Sequence, residues 1–412
     1  MTASPSALRI ALAGLLALAV AMGIGRFAFT PLLPLMLAER LVDLAGASWL
    51  ASINYLGYLL GALFCTVQPW LWARTPWLPR WHAGPVVRTG LAATCLLTLG
   101  MALPAPALWP ALRFAAGVAS ALVFVFTSGW CLTQLARRGA PALGGLMFAG
   151  PGVGIVASGL AASALVQLEQ TAATGWLSFG FLAAALSVLA WSAFAGDDGE
   201  ATAASGGGAG ARDHPTAGTA EVSLLALAYG LAGFGYIITA TFLPVIARQA
   251  MAGSAWLDLF WPIFGAGVVS GALLVTRLRP GGDRRPALAA CYALQAAGIA
   301  VGVWQPSAAG FALGSVLLGL PFTTITFLAL QEARRLRPAS SHSYIGLLTA
   351  TYGCGQIAGP LLAAAVLARS PTPAQGFDRS LAIAAGALLA GAALYLWLAR
   401  RYPAARARRS AG

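Results

Sequence analysis

The sequence predicts an all-α membrane protein with twelve spanning helices. Apolar residues make up 59% of the 412-residue chain and charged residues only 9%, which leaves too little charge to cover a water-soluble surface. Apolar runs recur along the whole chain, each long enough for the roughly 20 residues that a helix needs to cross about 30 Å of hydrocarbon. The ten-residue alternating segments of a membrane β-barrel do not occur, so helices are the expected spanning elements.

Twelve apolar runs define the predicted helices in chain order. Each run can cross a bilayer without help from its neighbours, and its ends are placed to within a few residues. The predicted spans are 10–38, 46–70, 86–104, 108–133, 142–167, 174–195, 223–247, 255–276, 287–304, 308–331, 343–368 and 379–399.

The arginines predict the orientation of these helices. Basic residues beside short loops stay on the cytoplasmic side, and an even number of spans places both termini together. With the termini inside, nineteen arginines fall on the cytoplasmic side: Arg9, Arg74, Arg80, Arg88, Arg137, Arg138, Arg212, Arg277, Arg279, Arg284, Arg285, Arg334, Arg335, Arg337, Arg400, Arg401, Arg406, Arg408 and Arg409. The opposite side holds Arg40, Arg248, Arg369 and Arg379, and only Arg26 and Arg113 lie within spans. We therefore expect both termini to be cytoplasmic.

Composition excludes several classes of function. The net charge of +13 is spread over many short loops, which indicates membrane topology and not nucleic-acid binding. All 25 basic residues are arginine, so the chain lacks the lysine of a nucleotide-binding phosphate loop or of a lysine-bound cofactor. The five cysteines lie in separate spans without CxxC spacing, and the three histidines form no ligand pair. We expect no nucleotide, no cofactor and no metal site.

A polar segment divides the chain into two related halves. Residues 196–222 are rich in Gly, Ala, Thr and acidic residues, which is typical of a flexible linker between a bundle at 1–195 and a bundle with a basic tail at 223–412. GIGRFAFTPLLP at 23–34 is echoed by GFGYIITATFLP at 233–244, and the same offset carries Gly57 and Gly61 onto Gly267 and Gly271. One register shared by two helices indicates an internal duplication.

Several motifs resemble a known family. Arg113, Gly117 and Ala121 are similar to the RxxxG motif of the major facilitator superfamily, and Gly150, Pro151 and Gly154 to its GPxxG signature. GIGRFAFTPLLPLM and TATYGCGQIAGP at 349–360 resemble the bacterial YbfB/YjiJ-type subfamily. The resemblance implies two six-helix bundles with a site at mid-membrane between them. We expect a monomer in the bacterial inner membrane. ARTPWLPRWHAG at 73–84 departs from the superfamily pattern, since it has no GxxxD start.

Arg26 is the leading candidate for substrate binding. An arginine in the middle of a lipid-facing helix costs about 2.5 to 3.5 kcal/mol on insertion scales, so Arg26 is expected to face a hydrated cavity, and Arg113 less strongly so. No carboxylate lies at an equivalent depth, which makes the cavity net positive and favours an organic anion as the substrate. The alternative is that either arginine binds backbone carbonyls or a carboxylate of a neighbouring helix.

Neutral polar residues at helical spacing are the other predicted binding residues. They are Asn54, Tyr236, Tyr352 and Gln356, with Tyr236 at the echo position of Arg26. The alternative is that such residues pack helices together, and this is the preferred interpretation for the GxxxG pairs at 57–61 and 267–271.

Three functions follow from these residues. The first is proton-coupled transport of a small organic anion by alternating access, with Asp258 and Glu169 as candidates for proton coupling and with Asp283, Arg284 and Arg285 as a cytoplasmic gate. The second is export of amphipathic compounds, which the GPxxG element slightly favours. The third is a membrane-embedded enzyme or receptor, although no cluster of His and acidic residues suggests a catalytic site.

Overall fold

The computed structural model describes residues 6–75, 81–195, 218–251, 256–277, 282–337 and 341–403. Within these ranges it contains twelve helices long and apolar enough to cross a membrane, which confirms the predicted number. Their bounds are α1 Ala7–Ala38, α2 Leu44–Arg74, α3 Ala83–Gly100, α4 Trp109–Arg137, α5 Gly144–Gln167, α6 Ala172–Trp191, α7 Thr219–Ala250, α8 Phe260–Val275, α9 Arg285–Trp304, α10 Ala308–Leu336, α11 Ser341–Ala368 and α12 Pro373–Arg401.

The helices form two six-helix bundles, α1–α6 and α7–α12. The bundles meet where α2 packs on α11, where α5 packs on α8, and where the last third of α1 packs on α7. Helix α7 begins at Thr219, four residues before the predicted start, because Glu221 in its first turn favours a helix N-terminus. Residues 196–217 of the predicted linker and the tail from 404 onward lie outside the described residues.

Arginines distinguish the two ends of the bundles. We call the end that holds Arg9, Arg88, Arg137, Arg285 and Arg400 the arginine-rich face, and the end that holds Arg40, Arg248, Arg369 and Arg379 the opposite face. Helices α1, α7 and α11 run from the arginine-rich face to the opposite face, whereas α2, α4 and α10 run back.

Glycines bring two pairs of helices into backbone contact. Gly57 and Gly61 of α2 face carbonyl groups of α4, and Gly267 and Gly271 of α8 face α10 in the same way. The facing residues are Phe114 and Val118 in α4 and Val316 and Leu320 in α10. In both halves, two glycines four residues apart face two residues four apart on the neighbouring helix, so the packing interpretation of both GxxxG pairs is confirmed.

Helix α1 is irregular at its centre. Ala7–Leu18 is α-helical, Ala19–Ile24 is a π-helical segment, and α-helix resumes only at Phe29–Ala38. The N–H of Gly25 reaches a carbonyl five residues back instead of four, and Pro31 cannot donate a hydrogen bond at all. Arg26 lies in this break, so the irregular backbone sets the direction of its side chain.

Candidate functional site

Arg26 joins the two bundles at the centre of the protein. Its side chain is only 3% exposed, and its guanidinium donates a 2.5 Å hydrogen bond to the amide oxygen of Gln356 in α11. The amide nitrogen of Gln356 donates in turn to the hydroxyl of Tyr236 in α7. The two positions related by the internal echo, Arg26 and Tyr236, therefore lie on either side of one glutamine.

Aromatic rings surround the Arg26 guanidinium. Its central carbon lies 4.1 Å from the ring centre of Tyr58, 5.2 Å from that of Tyr55 and 5.3 Å from that of Phe27. The π-face of a ring attracts a cation more strongly when water is excluded. Tyr55 and Phe27 were not predicted as site residues; the only available signal was that Phe27 follows Arg26 and Tyr55 follows Asn54 in the sequence.

The Arg26 guanidinium keeps unused hydrogen-bonding capacity. A guanidinium has five N–H donors, yet the buried Nε of Arg26 has no hydrogen-bond partner. No ion pair involves Arg26 or Arg113 in the part of the chain that the structure describes. A buried cation with a neutral acceptor is poorly compensated, and a carboxylate at this position would relieve that cost.

Three tyrosines of the second bundle form a stack beside Gln356. The ring of Tyr352 lies 4.7 Å from Tyr229 and 5.9 Å from Tyr236, nearly parallel to both. Tyr229 and Tyr236 are two turns apart on α7, so Tyr352 is held between them. Phe322 packs edge-on against Tyr236 at 5.0 Å. Tyr58 and Tyr352 are partly exposed, although Tyr58 contacts the buried Arg26 and Tyr352 the buried Tyr236.

Arg113 supports the backbone of α1. Its two terminal nitrogens donate to the carbonyl oxygens of Gly25 and Arg26 at 3.3 and 3.2 Å. The Arg26 carbonyl is available because Thr30 donates its N–H to Phe27 and not to Arg26. Arg113 thus binds backbone carbonyls, which is the alternative to substrate binding that the sequence left open. Contact between Arg113 and substrate stays a prediction.

Asn54 lies within the first bundle. Its amide donates to the carbonyl oxygen of Arg113 at 2.7 Å, and its own backbone carbonyl faces Gly117. The side chain of Asn54 therefore links α2 to α4. Its described hydrogen bond goes to Arg113 and not to Arg26. Its role in substrate binding also stays a prediction.

Side-chain hydrogen bonds join the bundles between Arg26 and the opposite face. They run from Thr30 to the Ala240 carbonyl at 3.0 Å, from Ser52 to the Ile357 carbonyl at 3.1 Å, and between the hydroxyls of Tyr55 and Thr241 at 3.1 Å. All three lie on the same side of Arg26, so the bundles are held together at that end.

Comparison with known proteins identifies the family. Residues 18–396 match the family model described as an uncharacterised MFS-type transporter, YbfB. The chain belongs to this family. As a member of the major facilitator superfamily it is a transporter and not an enzyme, and the sequence-based resemblance is confirmed.

Solved structures share the fold of this transporter. The nucleoside transporter NupG matches with a TM-score of 0.64 at 16% identity, over 95% of this chain and 98% of NupG. A point mutant of NupG matches with a TM-score of 0.67 at 15% identity, over 95% and 99% of the two chains. No curated protein matches the sequence.

The two predicted proton-coupling residues of this facilitator lie near the opposite face. Asp258 forms an ion pair with Arg248, and the two side chains are 21% and 33% exposed. Glu169 is exposed and has a left-handed backbone, with φ of 52°. Neither carboxylate contacts Arg26, and their role in coupling stays a prediction.

The predicted gate forms a buried ionic cluster at the arginine-rich face. Arg285 is fully buried and binds Asp283 at 2.8 Å, Glu221 at 2.7 Å and Glu332 at 3.5 Å. The backbone N–H of Arg284 also donates to Glu332. Glu221 was missed as a partner because the sequence placed it in the linker.

The described contacts of this cluster lie within the second bundle. Arg285 also donates to the carbonyl oxygens of Leu398 and Tyr402 at the end of α12. The cluster therefore ties the ends of α7, α9, α10 and α12 together. Closure against the first bundle stays a prediction.

Asp283→Asn should destabilise the protein in a pH-dependent way. Burial raises the pKa of Asp283, but the hydrogen bonds and charge of Arg285 outweigh it and hold the pKa below the usual 3.8. A lowered carboxylate pKa adds stability that is complete above pH 3.8 and is lost as the pH falls through the native pKa. We expect the variant to lose about 1–3 kcal/mol at pH 7 and the difference to shrink under acid.

Thermal unfolding in detergent from pH 7 downward measures this difference. Asp43→Asn is the control, because Asp43 caps α2 through the N–H of Gly46 and asparagine caps equally well. The gap should stay constant from pH 7 to about pH 4, and a gap for Asp283→Asn that did not shrink below pH 3.8 would contradict the assignment.

Proposed function

We propose that the protein is a secondary active transporter of a small organic anion and that Arg26 binds the charged end of the substrate. The observation that carries the proposal is the buried guanidinium at the interface of the bundles, whose side-chain acceptor is a neutral amide. A carboxylate offers two charged oxygens to the planar guanidinium fork. The low dielectric of the interior strengthens that attraction.

The other residues of the site would shape the pocket around that charge. Tyr58, Tyr236 and Tyr352 offer ring faces, ring edges and hydroxyls to the remainder of the substrate. Arg113 and Asn54 would act indirectly. Arg113 would hold the irregular backbone that carries Arg26, and Asn54 would hold the backbone of Arg113. Arg113 also adds a second positive charge, which disfavours a cationic substrate.

Alternating access would expose Arg26 to one side of the membrane at a time. The hydrogen bonds between the bundles on the opposite-face side support a conformation closed at that end. We place the arginine-rich face in the cytoplasm of a bacterial cell, with both termini inside, since basic residues of short loops are retained there. Transport would draw on the proton gradient, with the proton carried by Asp258, by Glu169 or by the substrate itself.

A panel of matched solutes tests the proposed substrate class. Purified protein in vesicles is assayed for counterflow of acetate, lactate, benzoate and succinate, with benzamide and benzylamine as the neutral and cationic counterparts of benzoate, and with uridine added because NupG is a nucleoside transporter. We expect flux of at least one carboxylate and none of benzamide or benzylamine. Flux of uridine or benzylamine without any carboxylate would contradict the proposal.

Export of amphipathic compounds is the second candidate. The ring-lined centre favours it, because stacked tyrosines and Phe322 place several aromatic rings near Arg26, where they could contact an apolar solute. An exporter should change the tolerance of a deletion strain to several unrelated compounds, whereas uptake of one anion should not.

A further inference from the structure

Gln356 occupies part of the guanidinium that an anion bound to Arg26 would use. Its amide oxygen accepts from a terminal nitrogen of the guanidinium at 2.5 Å. The contact is fully interior, since Gln356 is 0% exposed and Arg26 is 3% exposed. The rings of Tyr58, Tyr55 and Phe27 already cover other directions around the guanidinium. An incoming carboxylate therefore meets Gln356 at the guanidinium.

The orientation of the Gln356 amide follows from its partners. A guanidinium only donates hydrogen bonds, so the amide oxygen must face Arg26 and the amide nitrogen must face the hydroxyl of Tyr236. Tyr236 is itself held in the tyrosine stack by Tyr352. In addition, Gly355 and Gly359 bring α11 against the backbone and side chains of α7. Gln356 is thus fixed to the second bundle and presents its oxygen to the first.

We propose that Gln356 is an internal competitor for the substrate: its oxygen occupies the anion position on Arg26, and binding of an anion breaks this link between the bundles. The inference rests on the proposed function, since it takes Arg26 as the anion-binding group. A charged, bidentate carboxylate binds a guanidinium more strongly than one neutral amide oxygen, so an anion displaces Gln356.

This competition gives Gln356 two opposing effects on transport. It weakens anion binding, because each bound anion must replace the Arg26–Gln356 hydrogen bond. It also speeds release, because the amide returns to the guanidinium as the anion leaves and no buried cation is left unpaired. Gln356 is therefore a positioning residue that sets the balance between affinity and turnover.

Three substitutions test the competition, with acetate, lactate, benzoate and succinate as probes. Gln356→Met keeps the length of the side chain and removes its oxygen. Gln356→Asn keeps the amide but is one methylene shorter, so its oxygen should not reach Arg26. The second variant serves if the first does not fold. Both should bind carboxylates about ten-fold more tightly, the value of one charge-assisted hydrogen bond, with a lower maximal rate of counterflow. Gln356→Glu should abolish binding, because a permanent carboxylate then occupies Arg26.

Gln295→Met is the matched control. Gln295 is a buried glutamine in α9 that bonds the Leu318 carbonyl, so its variant should keep the wild-type affinity. Titration of purified protein gives the Kd, and vesicle counterflow gives the KM and the maximal rate. If wild type binds a carboxylate but Gln356→Met and Gln356→Asn bind it equally or more weakly, the competition is refuted while the proposed function stands. If neither wild type nor any variant binds a carboxylate, both proposals fail together.

Discussion

Arg26→Gln should reduce carboxylate transport at least about 100-fold while leaving the protein folded. The substitution removes the only described cation that lies between the bundles beside Gln356, and charged hydrogen bonds to a carboxylate contribute about 1.5–3 kcal/mol each. Arg26→Lys should retain part of the activity, because a lysine keeps the charge but loses the planar fork. Vesicle counterflow of the carboxylates in the panel measures the loss.

Stability distinguishes a binding role for Arg26 from a structural one. An incompletely compensated buried charge is costly, so its replacement by a neutral side chain should leave the thermal midpoint unchanged or raise it. Arg40→Gln is the control, since Arg40 is exposed two residues beyond the end of the same helix and should be dispensable for both properties. A less stable Arg26→Gln protein that transports normally would show that Arg26 is scaffolding.

Gly57→Ala should separate α2 from α4 and strongly destabilise the first bundle. A Cβ at this position would lie 2.1 Å from the carbonyl oxygen of Phe114, and a backbone atom cannot rotate away as a side chain can. Overpacking of this kind costs about 1–3 kcal/mol or more. The substitution should also disturb the candidate site around Arg26, because Asn54, one turn away on α2, bonds the Arg113 carbonyl.

Gly386→Ala provides the matched control for this packing effect. Gly386 lies in α12, and an added methyl group there would meet no neighbouring atom within 4 Å, so alanine should be neutral or slightly stabilising. Thermal unfolding followed by tryptophan fluorescence compares the two variants. Equal midpoints for Gly57→Ala and Gly386→Ala would contradict the proposed close contact.

The sequence alone determined the membrane architecture. Composition, twelve apolar runs and the alternation of arginines between loops are properties of short segments, so they could be read without knowledge of packing. The echo between 23–34 and 233–244 likewise predicted that Arg26 and Tyr236 occupy equivalent places. Membrane insertion depends on the hydrophobicity of each segment, and that is why this level of organisation is visible in the sequence.

Only the tertiary structure decided which polar residues meet. Helical spacing placed Asn54 and Gln356 on polar faces, but it could not show that Asn54 bonds the α4 backbone while Gln356 bonds Arg26 across the bundles. The partner of Arg113 was equally hidden, because it depends on an irregular backbone in α1. Glu221 and Arg285 are far apart in sequence and meet only when α7 and α9 pack. Such contacts depend on how each helix rotates about its axis, and that rotation is set by glycine contacts between neighbouring helices.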